Sequence, residues 1–275
     1  MKVLLTGRTG QVGAELQAIL RTATATDRAS LDLADGDAIR RTVREVKPDV
    51  IVNAAAYTAV DRAEVEPDLA MRINAAAPGV LAEETHRSGA LLVHYSTDYI
   101  FDGSKRAPYM ESDATNPLGV YGRSKLEGEK RIRASGCRHL IVRTAWVYGR
   151  GSNFVRAILR QAEKGAALRV VDDQHGAPTW SRDIARVTSE LLAKRAEGTF
   201  NVSAAGITSW YEVALEVLRL GGYNAEVMPV SSKAYGAKAP RPAYSVLDNG
   251  KLRAAGIAPI GEWRGRLAEH LKSAA

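Results

Sequence analysis

Short apolar runs alternate with amphipathic segments along the first half of the chain. The apolar runs predict strands at 2–6, 22–26, 49–55, 90–97 and 139–149. Apolar positions at helical spacing predict helices at 11–20, 35–46, 68–89 and 121–135, the third of them interrupted or kinked near Pro78 and Gly79. Such alternation is typical of a parallel sheet with helices on both faces. The fold class is therefore α/β, with a Rossmann-like doubly wound parallel sheet.

The second half of the chain has a more mixed pattern. We predict helices near 152–164, 181–194 and 208–220, and strands near 168–171, 198–202 and 225–230. A Pro- and Gly-rich loop follows at 231–247, and loops of this length are often functional. The chain is thus divided into a dinucleotide-binding domain at 1–148 and a smaller, mixed α/β domain at 149–275, which is mainly substrate-binding and interleaved with the first.

The stretch "LLTGRTGQVGAEL" places Gly7, Gly10 and Gly13 between the first strand and the first helix. Glycines permit a tight turn and let a pyrophosphate approach the backbone, while free N–H groups at the helix N-terminus receive its charge. The alternative is a purely structural turn. Because the glycines fall in the first strand-to-helix turn, we predict a dinucleotide site, with the spacing of short-chain dehydrogenases/reductases.

Polar and small residues follow the next two predicted strands. Asp27 is placed to hold a ribose hydroxyl, whereas the adjacent Arg28 is placed to pair with a 2′-phosphate. Asp32 and Leu33 fall where an adenine edge would be read, and the small residues of "VNAAAYT" (52–58) would admit a cofactor ribose. A polar loop and a plain strand–helix junction remain the alternatives.

The stretch "VYGRSKLEGEK" puts Tyr121 and Lys125 four residues apart on one helix face. An ordinary surface helix would explain the pair, but a lysine charge would also lower the pKa of a neighbouring phenol. Tyr121 would then donate a proton to a carbonyl oxygen while a nicotinamide delivers hydride to carbon. Thr97, in "YSTDYIFDG" (95–103), would polarise the same oxygen, and Lys125 would also hold a nicotinamide ribose hydroxyl.

Composition narrows the classes of protein. The 275 residues carry a formal net charge of +7 without a basic stripe interleaved with aromatics, so we expect a small anionic ligand and no nucleic acid. A single cysteine, Cys137, excludes an internal disulfide and favours a reducing, cytoplasmic compartment. We expect neither a signal peptide nor a membrane segment.

Six motifs occur in order along the chain: "TGRTGQVG", "VNAAAYTAVDRAE", "HYSTDYIFDG", "NPLGVYGRSKLEGE", "RTAWVYG" and "DDQHGAPT". Together they resemble the dTDP-4-dehydrorhamnose reductases, an extended branch of the short-chain dehydrogenase/reductase superfamily. The resemblance extends from residue 1 to about 180 and resumes at 239–252. It implies reduction of the 4-keto group of dTDP-4-dehydro-L-rhamnose to dTDP-L-rhamnose, a polysaccharide precursor. NADPH is the implied cofactor, and NADH is expected to work as well.

The resemblance also implies roles for individual residues at matching positions. The cofactor diphosphate would be bound by Gly10, Gln11 and Val12, and the substrate diphosphate by Arg241 in the loop at 231–247. Trp146 would touch the sugar, although without the resemblance core packing would explain it. The other implied cofactor positions are Asp27, Arg28, Asp32, Leu33, Ala54, Ala56, Tyr57 and Thr58. The other implied sugar positions are Thr97, Asp98 and Asn153.

One departure from the resemblance concerns a metal. Some relatives are dimers bridged by magnesium through carboxylates, and Glu15 matches one such ligand. Arg182 stands where a second glutamate is expected, and the adjacent Asp183 would point elsewhere on a helix. We therefore predict no metal, and the oligomeric state is left open, with a homodimer as one alternative.

Two other functions are compatible with the sequence. One is a catalytically silent nucleotide-binding subunit, such as the regulatory subunit of methionine adenosyltransferase, which shares the resemblance. The other is a nucleotide-sugar epimerase or dehydratase of the same superfamily. The intact Tyr121, Lys125 and Thr97 favour an enzyme, and the single acid Asp98 at the "STDY" strand end weakens the dehydratase alternative.

Overall fold

Six parallel strands form the central sheet, in the order β2–β1–β3–β4–β5–β10. The computed structural model describes residues 1–21 and 23–274. The sheet confirms the predicted α/β, doubly wound class. Its strands are β1 (Val3–Thr6), β2 (Thr24–Thr26), β3 (Val50–Asn53), β4 (Leu91–Thr97), β5 (Arg138–Thr144) and β10 (Gly198–Asn201).

Helices cover both faces of this sheet because alternate strand residues point to opposite sides. One face carries Leu5, Val52 and Val93 against α1, whereas the other carries Leu4 and Ile51 against α2 and α5. The helices of the first half are α1 (Gln11–Ile19), α2 (Gly36–Val46), α3 (Val60–Ala63), α4 (Pro67–Met71), α5 (Ala77–Ser88) and α6 (Val120–Ala134), with a π-helical turn at Arg72–Ala76 and a 3₁₀ turn at Asp98–Ile100.

Smaller two-stranded sheets and further helices make up the second half of the chain. Strand β10 joins the central sheet beside β5, so the second half of the chain contributes a strand to the sheet formed mainly by the first half. The domain boundary at residue 148 remains a prediction. The strands are β6 (Val147–Tyr148), β7 (Leu168–Val171), β8 (His175–Gly176), β9 (Thr179–Trp180), β11 (Thr208–Ser209) and β12 (Val227–Val230). The helices are α7 (Phe154–Glu163), α8 (Ser181–Ala193), α9 (Trp210–Gly221), α10 (Ser232–Tyr235), α11 (Gly250–Ala254) and α12 (Trp263–Ala274).

Three sequence predictions of local structure need correction or a limit. The helix predicted at 68–89 is interrupted just before Pro78, by the π turn at Arg72–Ala76, since a proline cannot donate to the preceding turn. The strand predicted at 139–149 is interrupted at Trp146, whose φ of 46° is left-handed. Of the strand predicted at 22–26, Thr22 lies outside the described residues. Helix α12 was not predicted.

No helix among residues 1–21 and 23–274 combines the length and the apolar character needed to cross a membrane. The amphipathic helices instead bury one side against the sheet. Helix α2 is an example. Asp35 caps its N-terminus by accepting hydrogen bonds from the N–H groups of Asp37 and Ala38, and Ile39 and Val43 form its buried side.

Helix α6 is fixed to the sheet by a buried ion pair. Glu129 accepts hydrogen bonds from Arg143 of β5 at 3.0 and 2.8 Å, and both side chains are nearly inaccessible to water. Burial alone would raise the pKa of Glu129, but the Arg143 guanidinium holds it below its usual value. The pair therefore stays charged inside the protein and sets the position of α6 along β5.

Glu129→Gln should destabilise the protein by about 3–5 kcal/mol, because it leaves the Arg143 charge buried without its partner. The measurement is urea unfolding. Glu127→Gln is the matched control on the same helix, since the Glu127–Arg131 pair is partly exposed and should contribute less than about 1 kcal/mol. Equal, small losses for both variants would contradict a structural role for the buried pair.

Candidate active site

The strands of the central sheet end at a common edge, and a cleft of about 350 Å³ opens there. Ligands in sheets of this type bind outside the carboxyl ends of the strands. The cleft brings together residues that are far apart in the sequence and that we predicted for three different tasks. Those lining it are Gln11, Thr58, Thr97, Asp98, Tyr121, Trp146 and Asn153.

The glycine-rich turn has the shape that a bound diphosphate requires. Gly7 has a φ of +76°, and a side chain there would come within 2.7 Å of the Ala55 nitrogen. A side chain at Gly13 would overlap the Gly7 carbonyl, so the helix starts directly against the turn. Gly10 caps α1 without a side-chain hydrogen bond, which leaves the first N–H groups of the helix available to an anion.

Asp27 follows β2, as predicted, but its carboxylate is already engaged. Arg8 donates to Oδ2 through Nε and Nη2 at 2.9 and 2.6 Å, and Ser30 donates to Oδ1. These hydrogen bonds lower the pKa of Asp27 to about 2. Sequence reasoning missed Arg8, although its position inside the glycine-rich motif was a usable signal.

The other predicted cofactor residues differ in how far their side chains are exposed to solvent. Arg28 is exposed in the turn after β2, and Asp32 is exposed and accepts a hydrogen bond from the Ala34 N–H. Leu33 is buried in the core between the sheet and α2, so its side chain is not presented at the surface. The Tyr57 hydroxyl donates to Glu66 at 2.8 Å. Ala54 lies next to Gly7, and Ala56, two residues further along the chain, is half-buried.

Tyr121 and Lys125 lie in the first two turns of α6; Lys125 is buried, and Tyr121 is half-buried in the cleft wall. Desolvation raises the pKa of Tyr121 to about 12; the Thr97 hydroxyl lowers it and Asp98 raises it. Lys125 is not among the groups that shift this pKa, so the lowering expected from its charge remains a prediction. The Lys125 Nζ instead lies 3.3 Å from Nε2 of His94. Tyr121 is thus a protonated phenol at neutral pH, next to Thr97.

Asp98 lies beneath the cleft and is tied to the long loop. Its Oδ1 accepts from the Thr97 hydroxyl at 3.1 Å, and its Oδ2 accepts from Ser245 at 2.6 Å. Burial raises the pKa of Asp98 to about 7, although both hydroxyls lower it. Ser245 was missed by sequence reasoning, because a serine in a long loop carries no signal of what it contacts.

Trp146 forms one wall of the cleft through an unusual backbone conformation. Its left-handed φ turns the indole onto Trp210, with ring centres 3.6 Å apart and planes 8° apart. Gly176 of β8 lies so close that a side chain there would overlap the Trp146 ring. Trp146 is therefore a lining residue of the cleft as well as a packing residue.

Arg241 lies at a second, larger cleft of about 760 Å³, which shares Thr58 and Tyr99 with the first. Its guanidinium donates to both carboxylate oxygens of Asp61 at 3.1 and 2.8 Å. Asp61 also accepts from the Ala239 N–H, so the loop is anchored to α3. A planar guanidinium at this position suits a diphosphate better than a lysine would.

The two carboxylates considered for a metal differ in their contacts. Asp183 accepts from Arg266 at 2.8 Å, whereas Glu15 lies 3.9 Å from the exposed Arg150. Arg182 lies over the Trp180 ring. In the described part of the chain, no group of three or more His, Cys, Asp or Glu side chains is arranged to hold a metal ion.

Comparison with known proteins extends these observations. The family model described as the RmlD substrate binding domain matches residues 1–275. The dTDP-4-dehydrorhamnose reductase of Burkholderia thailandensis is 42% identical over 287 residues, covering 96% of each chain. A crystal structure of such a reductase from Clostridium acetobutylicum has a TM-score of 0.97 at 40% identity, covering 100% of this chain and 99% of that one. One from Bacillus anthracis, in complex with NADP, has a TM-score of 0.96 at 35% identity, covering 99% of both.

The doubly wound sheet, its glycine-rich turn and the tyrosine–lysine helix at the cleft define an extended short-chain dehydrogenase/reductase. Within that superfamily, the match over the whole length decides the branch. The chain belongs to the RmlD family, the dTDP-4-dehydrorhamnose reductases.

Gly176→Ala should displace the Trp146 indole, because the added methyl group would overlap its ring. We expect the exciton coupling between Trp146 and Trp210, measured by circular dichroism, to weaken while the fold is kept. Gly265→Ala in α12 is the control, since nothing lies within 4 Å of the added methyl group. Unchanged coupling in Gly176→Ala would mean that β8 moves and the indole does not.

Proposed function

We propose that this chain reduces the 4-keto group of dTDP-4-dehydro-L-rhamnose to give dTDP-L-rhamnose, with NADPH as reductant. Tyr121 carries the proposal, as a phenol that stays protonated and lines the same cleft as Thr97 and Gln11. A silent binding subunit would have no need of a proton donor there. Family membership and the relatives' names support the same activity.

The residues at the cleft fit a nicotinamide dinucleotide. The turn at Gly7 leaves no room for side chains where a diphosphate would approach, and the buried Thr144 hydroxyl in the cleft wall lacks a hydrogen-bond partner among the described residues. Gly10, Gln11, Val12 and Gly13 would hold the diphosphate, and Lys125 a ribose hydroxyl. When bound, the reduced cofactor supplies hydride to the substrate carbon. NADH is expected to serve less well.

The chain's own residues supply the proton and the orientation. Tyr121 donates its phenolic proton to the carbonyl oxygen as that oxygen gains charge. Thr97 would turn its hydroxyl away from Asp98 to donate a hydrogen bond to the same oxygen. Asp98, Trp146 and Asn153 would orient the sugar in the smaller cleft. Arg241, at the larger cleft, would bind the substrate diphosphate in exchange for part of its pairing with Asp61.

Three accompanying statements remain predictions. The single cysteine and the chemistry of the substrates support a cytoplasmic location. A homodimer is one alternative for the oligomeric state. No nucleic-acid partner is expected, because the positive charge is dispersed among acids.

The direct test is oxidation of NADPH by the purified chain with enzymatically prepared dTDP-4-dehydro-L-rhamnose. Tyr121→Phe should lower kcat by about 10²–10⁴-fold, because it removes only the proton donor. NADPH affinity, measured by fluorescence titration, should be unchanged. Tyr95→Phe is the control, since its hydroxyl is bonded to Thr188 on the other face of the sheet. A Tyr121→Phe enzyme within about threefold of wild type would contradict the assignment.

Arg28→Ala should raise the KM for NADPH roughly three- to tenfold and leave that for NADH nearly unchanged, since an exposed arginine pairs with a 2′-phosphate that NADH lacks. Both cofactors are compared in steady-state kinetics. Arg138→Ala at the amino edge of β5 is the control. Equal losses for the two cofactors would mean that Arg28 contacts the adenine, and no loss would place it in solvent.

A further inference from the structure

Three polar residues form a row across the central sheet, at the carboxyl ends of β1 and β3 and within β4. Thr6, Asn53 and His94 lie on the adjacent strands β1, β3 and β4, and each is paired in register with the next. Strand alternation puts them on the same face as Leu4, Ile51 and Leu92. This is the face that α6 covers near Lys125.

Hydrogen bonds connect the row to Lys125. The Thr6 hydroxyl lies 2.7 Å from the Asn53 Oδ1, and the Asn53 Nδ2 lies 3.1 Å from the His94 Nδ1. The His94 Nε2 then lies 3.3 Å from the Lys125 Nζ. All four side chains are at most 2% exposed. Among residues 1–21 and 23–274, no hydrogen-bond partner of the Lys125 Nζ other than His94 was found.

Burying four polar side chains in a row is unfavourable for folding compared with an apolar core. Apolar side chains would fill the same space, and buried polar groups are unfavourable unless every one is hydrogen-bonded. The row also lies between the parts of the site: Gly7 follows Thr6, Ala54 follows Asn53, and Lys125 is at its end. It therefore connects the glycine-rich turn to the helix that carries Tyr121.

We propose that His94 is a positioning residue for Lys125: its Nε2 holds the buried lysine ammonium in place, and Asn53 and Thr6 hold the His94 ring. Lys125 is thereby oriented before the cofactor arrives. The inference rests on the proposed reductase function, because that function gives Lys125 its role.

Proton positions in the row follow from the charge on Lys125. An ammonium donates to Nε2, which places the ring proton of His94 on Nδ1, where it needs the Asn53 oxygen. An uncharged amine instead accepts from Nε2–H, and Nδ1 then accepts from the Asn53 nitrogen. The structure has the Asn53 amide in this second orientation, so the arrangement proposed for the ammonium requires the amide to be turned. A half-turn of the Asn53 amide exchanges these arrangements without moving the backbone.

Several charged groups act on Lys125. Burial lowers the pKa of Lys125 to about 8, and Glu129 on the same helix raises it. Glu129 is itself paired with Arg143 of β5, while Tyr121 and the 3₁₀-turn residue Asp98 lie on the cleft side. Burial, followed by the Lys125 charge, lowers the pKa of His94 well below its usual value, so His94 stays neutral and can accept.

The first test uses the cofactor-free protein. Imidazole ¹⁵N shifts of His94, measured by NMR below the Lys125 pKa of about 8, report which ring nitrogen carries the proton. We expect a neutral ring protonated on Nδ1. A proton on Nε2, or a charged ring, would overturn the proposal, because neither can accept from the ammonium. No substrate is involved, so this result is independent of the proposed function.

The second test compares His94→Leu, His94→Gln and the control Tyr95→Phe with wild type. Loss of the acceptor in His94→Leu should weaken NADPH binding roughly tenfold and move the basic limb of the pH–kcat/KM profile to lower pH, since a hydrogen bond to the ammonium favours its charged form. His94→Gln, whose amide oxygen can accept, should recover most of both effects. Tyr95→Phe loses one buried hydrogen bond on the opposite face and should behave as wild type.

The outcomes separate the two proposals. A His94→Leu enzyme with wild-type NADPH affinity and an unmoved basic limb would overturn the positioning role, as would a His94→Gln enzyme as impaired as His94→Leu. A wild-type chain that binds NADPH but does not turn over the keto-sugar would reject the reductase function, while the NMR result would still decide where His94 carries its proton.

Discussion

The buried ammonium of Lys125 is the constraint around which the site is organised. A charge removed from water is unfavourable unless it is paired and hydrogen-bonded, and Lys125 is 2% exposed. Glu129 supplies a nearby negative charge and is held in place by Arg143, while His94 supplies an acceptor. Helix α6, strand β4 and strand β5 are therefore coupled through one charge, and the position of Tyr121 follows from theirs.

Close backbone approach allows α6 to reach that position. A side chain at Gly122 would overlap the Tyr99 carbonyl, and one at Gly128 would overlap the Asn74 carbonyl. Asn74 belongs to the π turn, and its side chain bonds the Tyr57 backbone and the Ser124 hydroxyl. The irregular turn before α5 thus joins the segment after β3 to helix α6.

The sequence predicted what depends on local pattern and on strand ends. The parallel sheet, the glycine-rich turn and the meeting of Thr97 with Tyr121 followed from periodicity, from where polar residues leave the strands, and from a family resemblance. The pairing of Arg8 with Asp27, the bond from Ser245 to Asp98 and the left-handed Trp146 were not predictable in this way. Each depends on a contact between distant segments, or on a backbone conformation that a non-glycine residue adopts only when its surroundings enforce it.

Removal from water shifts the pKa values of the cleft groups in one consistent sense. It raises those of Tyr121 and Asp98 and lowers that of Lys125, so each group is biased toward its uncharged form. In the proposed reduction this bias favours Tyr121 as the proton donor. It opposes the proposed role of Lys125, whose ammonium would hold a ribose hydroxyl. At Tyr121 the Thr97 hydroxyl opposes burial and Asp98 reinforces it, whereas at Lys125 Glu129 opposes burial. The protonation of each residue is therefore set by the groups packed around it as well as by its removal from water.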